Sequence, residues 1–154
     1  MSLEFIPISV RALMIAPGAP EALGGELGKG EEMRVYPIEA PEGAPFPNVV
    51  YSQLDERVIA TKDGNVPGGW ELSVFVNTES GGGGYMTNKR VSRMTRRALD
   101  RKVIQFQEDH HEEGEFSNAR LRFTGEEELP PSPEKRIITT ALTFRATKIN
   151  TTNG

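Results

Sequence analysis

The sequence contains no cysteine, which excludes a disulfide framework, a zinc–thiolate site and a thiol nucleophile. Histidine is almost as scarce, and the two present, His110 and His111, are adjacent. Neighbouring side chains diverge on a strand or a helix, so such a pair rarely grips one ion. Glu108 and Glu112 stand at helical spacing from this pair and could join one histidine in an oxygen–nitrogen site. No apolar residues scaffold the segment, however, and a solvated acidic loop is the better reading. A Walker-type loop is missing too: Gly81 to Gly84 lead into Tyr85-Met86-Thr87, with no Lys-Ser or Lys-Thr pair to reach phosphate and magnesium. A glycine run before a helix can cradle an anion, but a flexible corner between strand and helix explains it more simply. No Gly-x-Ser-x-Gly elbow occurs, and Ser52 and Ser73 have no evident base. The expectation is therefore a protein with no catalytic, cofactor-binding or metal-binding residues, and not an enzyme. Long apolar runs are also lacking. Met1 to Ala16 carries Glu4, has no basic residue before Arg11 and is interrupted by Pro7, so it reads as neither a membrane span nor an export signal.

What is present is an ordinary globular composition: 154 residues, 36% hydrophobic, 26% charged. That length predicts one domain over 1–154 with a core that needs no staples, and a polar tail over 150–154 with nothing to order it alone. Net charge is −4, which weighs against general nucleic-acid binding, but the charge is segregated. Lys89, Arg90, Arg93, Arg96, Arg97, Arg101 and Lys102 place seven of the 18 cations within one stretch. Glu108, Asp109, Glu112, Glu113 and Glu115 follow directly, and Glu126 to Glu128 come soon after. Adjacent blocks of opposite sign are either solvated or offer complementary flanks to copies of the same chain. Arginine predominates among the cations and favours paired, partly buried carboxylate contacts more than lysine does. The candidate subunit or partner interface is thus Lys89, Arg90, Arg93, Arg96, Arg97 and Arg101 with Glu108, Asp109, Glu112 and Glu113. The competing reading is a nucleic-acid-binding module that uses the basic helix 89–102 to track phosphates.

The central stretch runs from Trp70 to Phe106. Trp70, Leu72, Val74 and Val76 alternate with polar residues, the pattern of a half-buried strand. Val91, Met94, Ala98 and Leu99 form one stripe at helical spacing, predicting a helix from Thr87 to about Phe106. Upstream, Pro7 to Ala16 reads as a short helix, and Pro20 to Leu27 as a further turn ended by Gly24-Gly25. Arg34 to Pro37 reads as an edge strand, and the proline-rich 39–47 as an extended loop. Asn48 to Thr61 reads as one strand that turns at Lys62–Gly69 into the Trp70 strand. Downstream, Ala119, Leu121 and Phe123 mark a strand, 126–134 a rigid exposed loop, and Arg136 to Lys148 a closing strand with Ile138, Leu142, Phe144 and Ala146 inward. The predicted fold is α+β: a mainly antiparallel four- to five-stranded sheet with two helices packed on one face.

Arg34-Val35-Tyr36-Pro37, followed by Ala40-Pro41-Glu42-Gly43-Ala44-Pro45-Phe46-Pro47-Asn48-Val49-Val50-Tyr51, resembles the front half of the bacteriophage tail-completion (tail-terminator) proteins. Leu72-Ser73-Val74-Phe75-Val76 is similar to that family's next strand, and the order of helix and closing strand pair extends the resemblance over nearly the whole chain. The glycine run, the acidic segment 108–118 and the Pro130–Pro133 loop depart from the family pattern. The resemblance implies a structural virion protein of the tail or neck, assembled in the host cytoplasm. It implies a homo-oligomeric ring, typically a hexamer, that caps the tail tube, ends tube polymerisation and joins the tail to the head connector. The implied partners are the tail-tube protein and the connector or stopper protein, with DNA passing through the ring without specific binding. A neighbouring neck, stopper or head-completion role is the related alternative.

Overall fold

The computed structural model describes residues 7, 9–16, 19–61, 64–81, 83–106, 116–132 and 136–149. Its elements, in chain order, begin with helices α1 (Val10–Ile15) and α2 (Glu21–Leu27) and strands β1 (Val35–Pro37), β2 (Asn48–Tyr51), β3 (Asp55–Thr61) and β4 (Gly64–Glu79). Helix α3 (Gly84–Leu99) and strands β5 (Val103–Phe106), β6 (Ser117–Ser132) and β7 (Ile137–Lys148) follow. The class is α+β, as the alternating and helical stripes require. The sheet is larger than the four to five strands expected. Six strands run in the order β1-β2-β4-β7-β6-β5, and β3 joins as a seventh against β4. Among the described residues three α-helices are formed rather than two.

The additional strands come from segments whose local signals were ambiguous. Asn48 to Thr61 divides into β2 and β3 because the chain breaks step at Ser52, whose hydroxyl accepts from Ser73 N (3.0 Å) and donates to Gln53 O (2.8 Å). Both pieces pair antiparallel with β4, β2 at Asn48↔Asn77 to Tyr51↔Val74 and β3 at Asp55↔Glu71 to Thr61↔Gly64. The long predicted helix stops at Leu99, and Val103 to Phe106 form β5, with exposed and buried residues alternating. A turn through Arg101, which has φ 66°, makes the switch. Arg101 N donates to Leu121 O and Leu121 N to Lys102 O, each at 2.8 Å, so the turn is tied to β6. The segment expected as a rigid loop over 126–134 is instead strand through Ser132. Pro130 and Pro131 are tolerated there because β5 covers only Ser117 to Arg120, which leaves the rest of that side of β6 as an edge. At the front of the chain, α1 starts at Val10 and Pro7 bridges Phe106 instead of opening the helix. Helix α2 runs through Gly24-Gly25 to Leu27.

One face of the sheet carries the core. Leu72, Val74 and Val76 of β4, Leu142, Phe144 and Ala146 of β7, Ala119 and Leu121 of β6, and Ile104 and Phe106 of β5 are all buried. Trp70 is half-buried at the edge of this cluster, with its ring edge-on to Phe106 at 4.9 Å. Helix α3 closes the core with Val91, Ala98 and Leu99, and also with Asn88, Ser92 and Thr95, which are polar and buried. Asn88 is the anchor. Its amide donates to Val76 O (3.0 Å) on β4 and Ile138 O (3.1 Å) on β7, and its oxygen accepts from the Thr140 hydroxyl (2.5 Å). The Ser92 hydroxyl adds a longer contact at 3.4 Å. Gly84 lets the helix start against the strand it has just left, since a Cβ there would collide with the Glu79 carbonyl oxygen.

Removing the Asn88 side chain takes a buried donor from two carbonyls and the acceptor from the Thr140 hydroxyl, and a buried polar group left unpaired costs about 1–3 kcal/mol. Asn88→Ala is therefore expected to lose at least about 3 kcal/mol in urea unfolding, and Ser92→Ala less than about 1 kcal/mol. Equal small losses for the two variants would show that the amide does not anchor the helix.

Candidate functional site

Helix α3 spans 16 residues. Burial of the Asn88, Val91, Thr95 and Ala98 side turns the cationic side outward. The candidate interface cations divide into those used within the subunit and those that are not. Lys89 Nζ reaches Glu128 Oε1 on β6 at 2.6 Å and lies 5.4 Å from the Tyr85 ring centroid. The hydrogen bond to Lys89 holds the Glu128 carboxyl below the usual glutamate range, and the same bond raises the Lys89 ammonium. Arg90 clamps Glu26 of α2 through Nε and Nη2, both 2.7 Å from Oε1. The Arg96 guanidinium stacks over Phe123, 3.9 Å from the ring centroid, while Phe123 meets Phe144 edge-on at 5.7 Å. These contacts seat α3 on α2 and β6. Exposed ion pairs of this kind are screened by solvent and add little to stability.

Arg93, Arg97 and Arg101 are exposed and enter neither of these ion pairs. Arg93 and Arg97, spaced four residues apart, continue the line of Lys89 along the helix, and Arg101 follows in the turn after it. Like charges at this spacing repel by a few tenths of a kcal/mol. Arg97, in the last turn, is partly compensated by the helix dipole. A row of guanidinium groups without carboxylate partners among the described residues is chemically a receptor for an acidic surface. The acidic half of the candidate interface, Glu108, Asp109, Glu112 and Glu113, lies outside the described residues, as do His110 and His111. Of the second acidic block, Glu126 and Glu127 are exposed on β6 and Glu128 is taken by Lys89.

The opposite face of the sheet carries a feature that the helical pattern did not announce. The proline-rich segment after β1, including a cis Phe46–Pro47 bond, arches beside β2 and β4 and encloses a groove of about 840 Å³. Ile38, Phe46, Val50, Phe75, Leu129 and Ile137 supply its apolar walls. Its polar floor is already satisfied: Asn48 donates to Pro45 O (3.2 Å), Asn77 to Asn48 Oδ1 (3.1 Å) and Thr139 to Asn77 Oδ1 (2.7 Å). With those groups engaged, the groove presents mainly hydrocarbon. Its sequence signal was Val50 and Phe75, apolar residues in strands whose main apolar set faces the other way, flanked by Ile38 and Phe46 among prolines.

No protein-family model and no curated protein matches the chain. Among solved structures, it is similar to a chain of the virion of a native gene transfer agent particle, at 17% identity and a TM-score of 0.62. The likeness covers 92% of this chain and 94% of that one. It shows a shared fold over essentially the full length of both.

The Lys89–Glu128 contact is testable in solution. By carboxyl-detected NMR, Glu128 is expected to titrate below an ordinary glutamate, and Lys89→Met to move it back up. Because the folded-state value is lowered, the bridge contributes above the unfolded glutamate range and is lost as pH falls through the folded value. An ordinary Glu128 titration would show that Lys89 is free.

Proposed function

We propose that the chain is a structural subunit of a phage-like particle, and that copies of it close into a ring, typically of six, which caps the tail tube. The fold shared with a gene transfer agent virion chain carries this reading. The motif order Arg34-Val35-Tyr36-Pro37, proline-rich loop, Val49-Val50-Tyr51 supports the tail-terminator assignment within it. In that role the ring ends tube polymerisation, meets the tail-tube protein on one side and the connector or stopper on the other, and passes DNA without gripping it. The reading assigns the chain no catalytic step.

A closed ring requires two different patches on each subunit that fit one another. The ridge of Arg93, Arg97 and Arg101 suits one of them, facing an acidic surface on the neighbour. Stable contacts of this kind bury roughly 1,600 Å², so the ridge acts as the charged part of a larger contact. The same ridge would attract phosphates in the nucleic-acid-binding reading, and that binding would weaken steeply with added salt.

Arg93→Glu with Arg97→Glu is expected to abolish assembly while leaving the melting temperature within a few degrees of the parent, because exposed charge changes cost about 0.5 kcal/mol or less. Size-exclusion chromatography with light scattering, with and without tail-tube protein, reads the outcome. A parent chain that stays monomeric at high concentration in both conditions argues against the ring. Tight, salt-sensitive duplex binding lost in the same variant would favour the nucleic-acid module instead.

A further inference from the structure

Strands β3 and β4 continue past the rest of the sheet as a two-stranded ribbon. Strand β7 pairs with β4 only from Trp70↔Ala146 onward, whereas Gly64 to Gly68 lie beyond that pairing and β3 pairs back along them to Thr61↔Gly64. The root of the ribbon is built to leave the sheet. Gly69 has φ 82° and approaches the Ala146 carbonyl so closely that a Cβ would lie 2.7 Å from its oxygen. Between Glu56↔Trp70 and Val58↔Pro67 the register shifts, so that Gly68 and Gly69 oppose one residue of β3 and make a bulge on β4, a device that bends and re-aims a ribbon. Five residues of strand extend about 17 Å, comparable with the radius of gyration of about 15 Å expected for a domain of this length.

Two unsupported strands are marginal in water and need a surface to pack on. The ribbon's sequence is apolar through Val58, Ile59 and Ala60, in register with Pro67, Val66 and Asn65. No other strand among the described residues pairs with either of its outer edges. Pro67 offers no N–H, and Gly64, Gly68 and Gly69 pair weakly, so open-ended strand addition is discouraged and packing by a face is favoured. The apolar groove lies at the other end of the same strand, around Phe75 and Asn77. A ribbon that departs from the Trp70 end runs away from the groove of its own subunit.

We propose that the ribbon of each copy packs into the groove between the proline-rich loop and the sheet of the next copy. This rests on the ring reading above and specifies its apolar contact. Donor and acceptor are different patches at opposite ends of one strand, so copies can join head to tail, the kind of contact from which a closed ring is built. The occupant of the groove is thus a second copy of this chain.

The cysteine-free sequence makes the test direct. In the full chain carrying both Ile59→Cys and Leu129→Cys, a short bismaleimide is expected to give a ladder of covalent multimers ending at ring size. Either single variant should not pass dimer. A second variant joins Glu56 to Gly69 through an Asn-Gly turn, which removes the ribbon and keeps the β2–β4 and β4–β7 pairing. It should melt as the parent does and assemble at least about tenfold more weakly. Rings by light scattering without a ladder, or intact rings from the shortened chain, overturn the ribbon–groove contact and leave the ring standing. A parent chain that forms no rings, alone or with tail-tube protein, overturns both.

Discussion

The buried amide of Asn88 is the constraint on which the rest of the arrangement depends. Helix α3 crosses β4 and β7 where both strands present a carbonyl, Val76 O and Ile138 O, and one side chain satisfies both. A buried polar group that finds all its partners at one position and none at the next defines position more sharply than an apolar contact, which tolerates sliding. With the helix held at that point, Val91, Ala98 and Leu99 fall onto the sheet, and the ridge of Arg93, Arg97 and Arg101 faces away from it. The orientation of the charged surface is therefore a consequence of a neutral hydrogen-bond network inside.

The cations of α3 are not equivalent, although the sequence presents them as one block. Lys89 and Arg90 hold Glu128 and Glu26, and Arg96 lies on the Phe123 ring. These three join the helix to its own subunit, and the ridge beside them is what remains for a partner. The two faces of the sheet divide in a similar way. One is filled by the core and covered by α3, and the other keeps a hydrocarbon groove beside the proline-rich loop. Among the described residues, the subunit's own sheet leaves the projecting ribbon with a single strand partner at each position. An element of that kind fits a protein whose fold is completed by assembly.

Much of the architecture was legible because it is written in short-range periodicity. The β4 alternation from Trp70 to Val76, the β7 alternation at Leu142, Phe144 and Ala146, and the α3 stripe each report a buried face directly, and all three are observed. The misreadings share one cause, since each lies where tertiary contact overrode a local cue. Prolines at 130 and 131 read as a loop, yet they sit on an edge of β6 that lacks a second partner. Val103 to Phe106 reads as the last turn of a helix, yet Ser117 to Arg120 were available to pair with it. Gly24-Gly25 reads as a helix stop, yet Leu23 and Leu27 bury completely on either side and carry α2 through.

The sequence alone determined the class of the fold, the core faces of the central strands and helix, the exclusion of thiol chemistry and the concentration of cations on α3. Each of these follows from residue type and from spacing within one element, where backbone geometry repeats. Only the tertiary structure decided which cations are engaged within the subunit, that a groove opens behind β2 and β4, and that β3 and β4 run out beyond the sheet. Those features depend on which strands, separated by dozens of residues, become neighbours. Contacts of that range are selected by the summed packing of the whole chain and leave no periodic trace in any one segment.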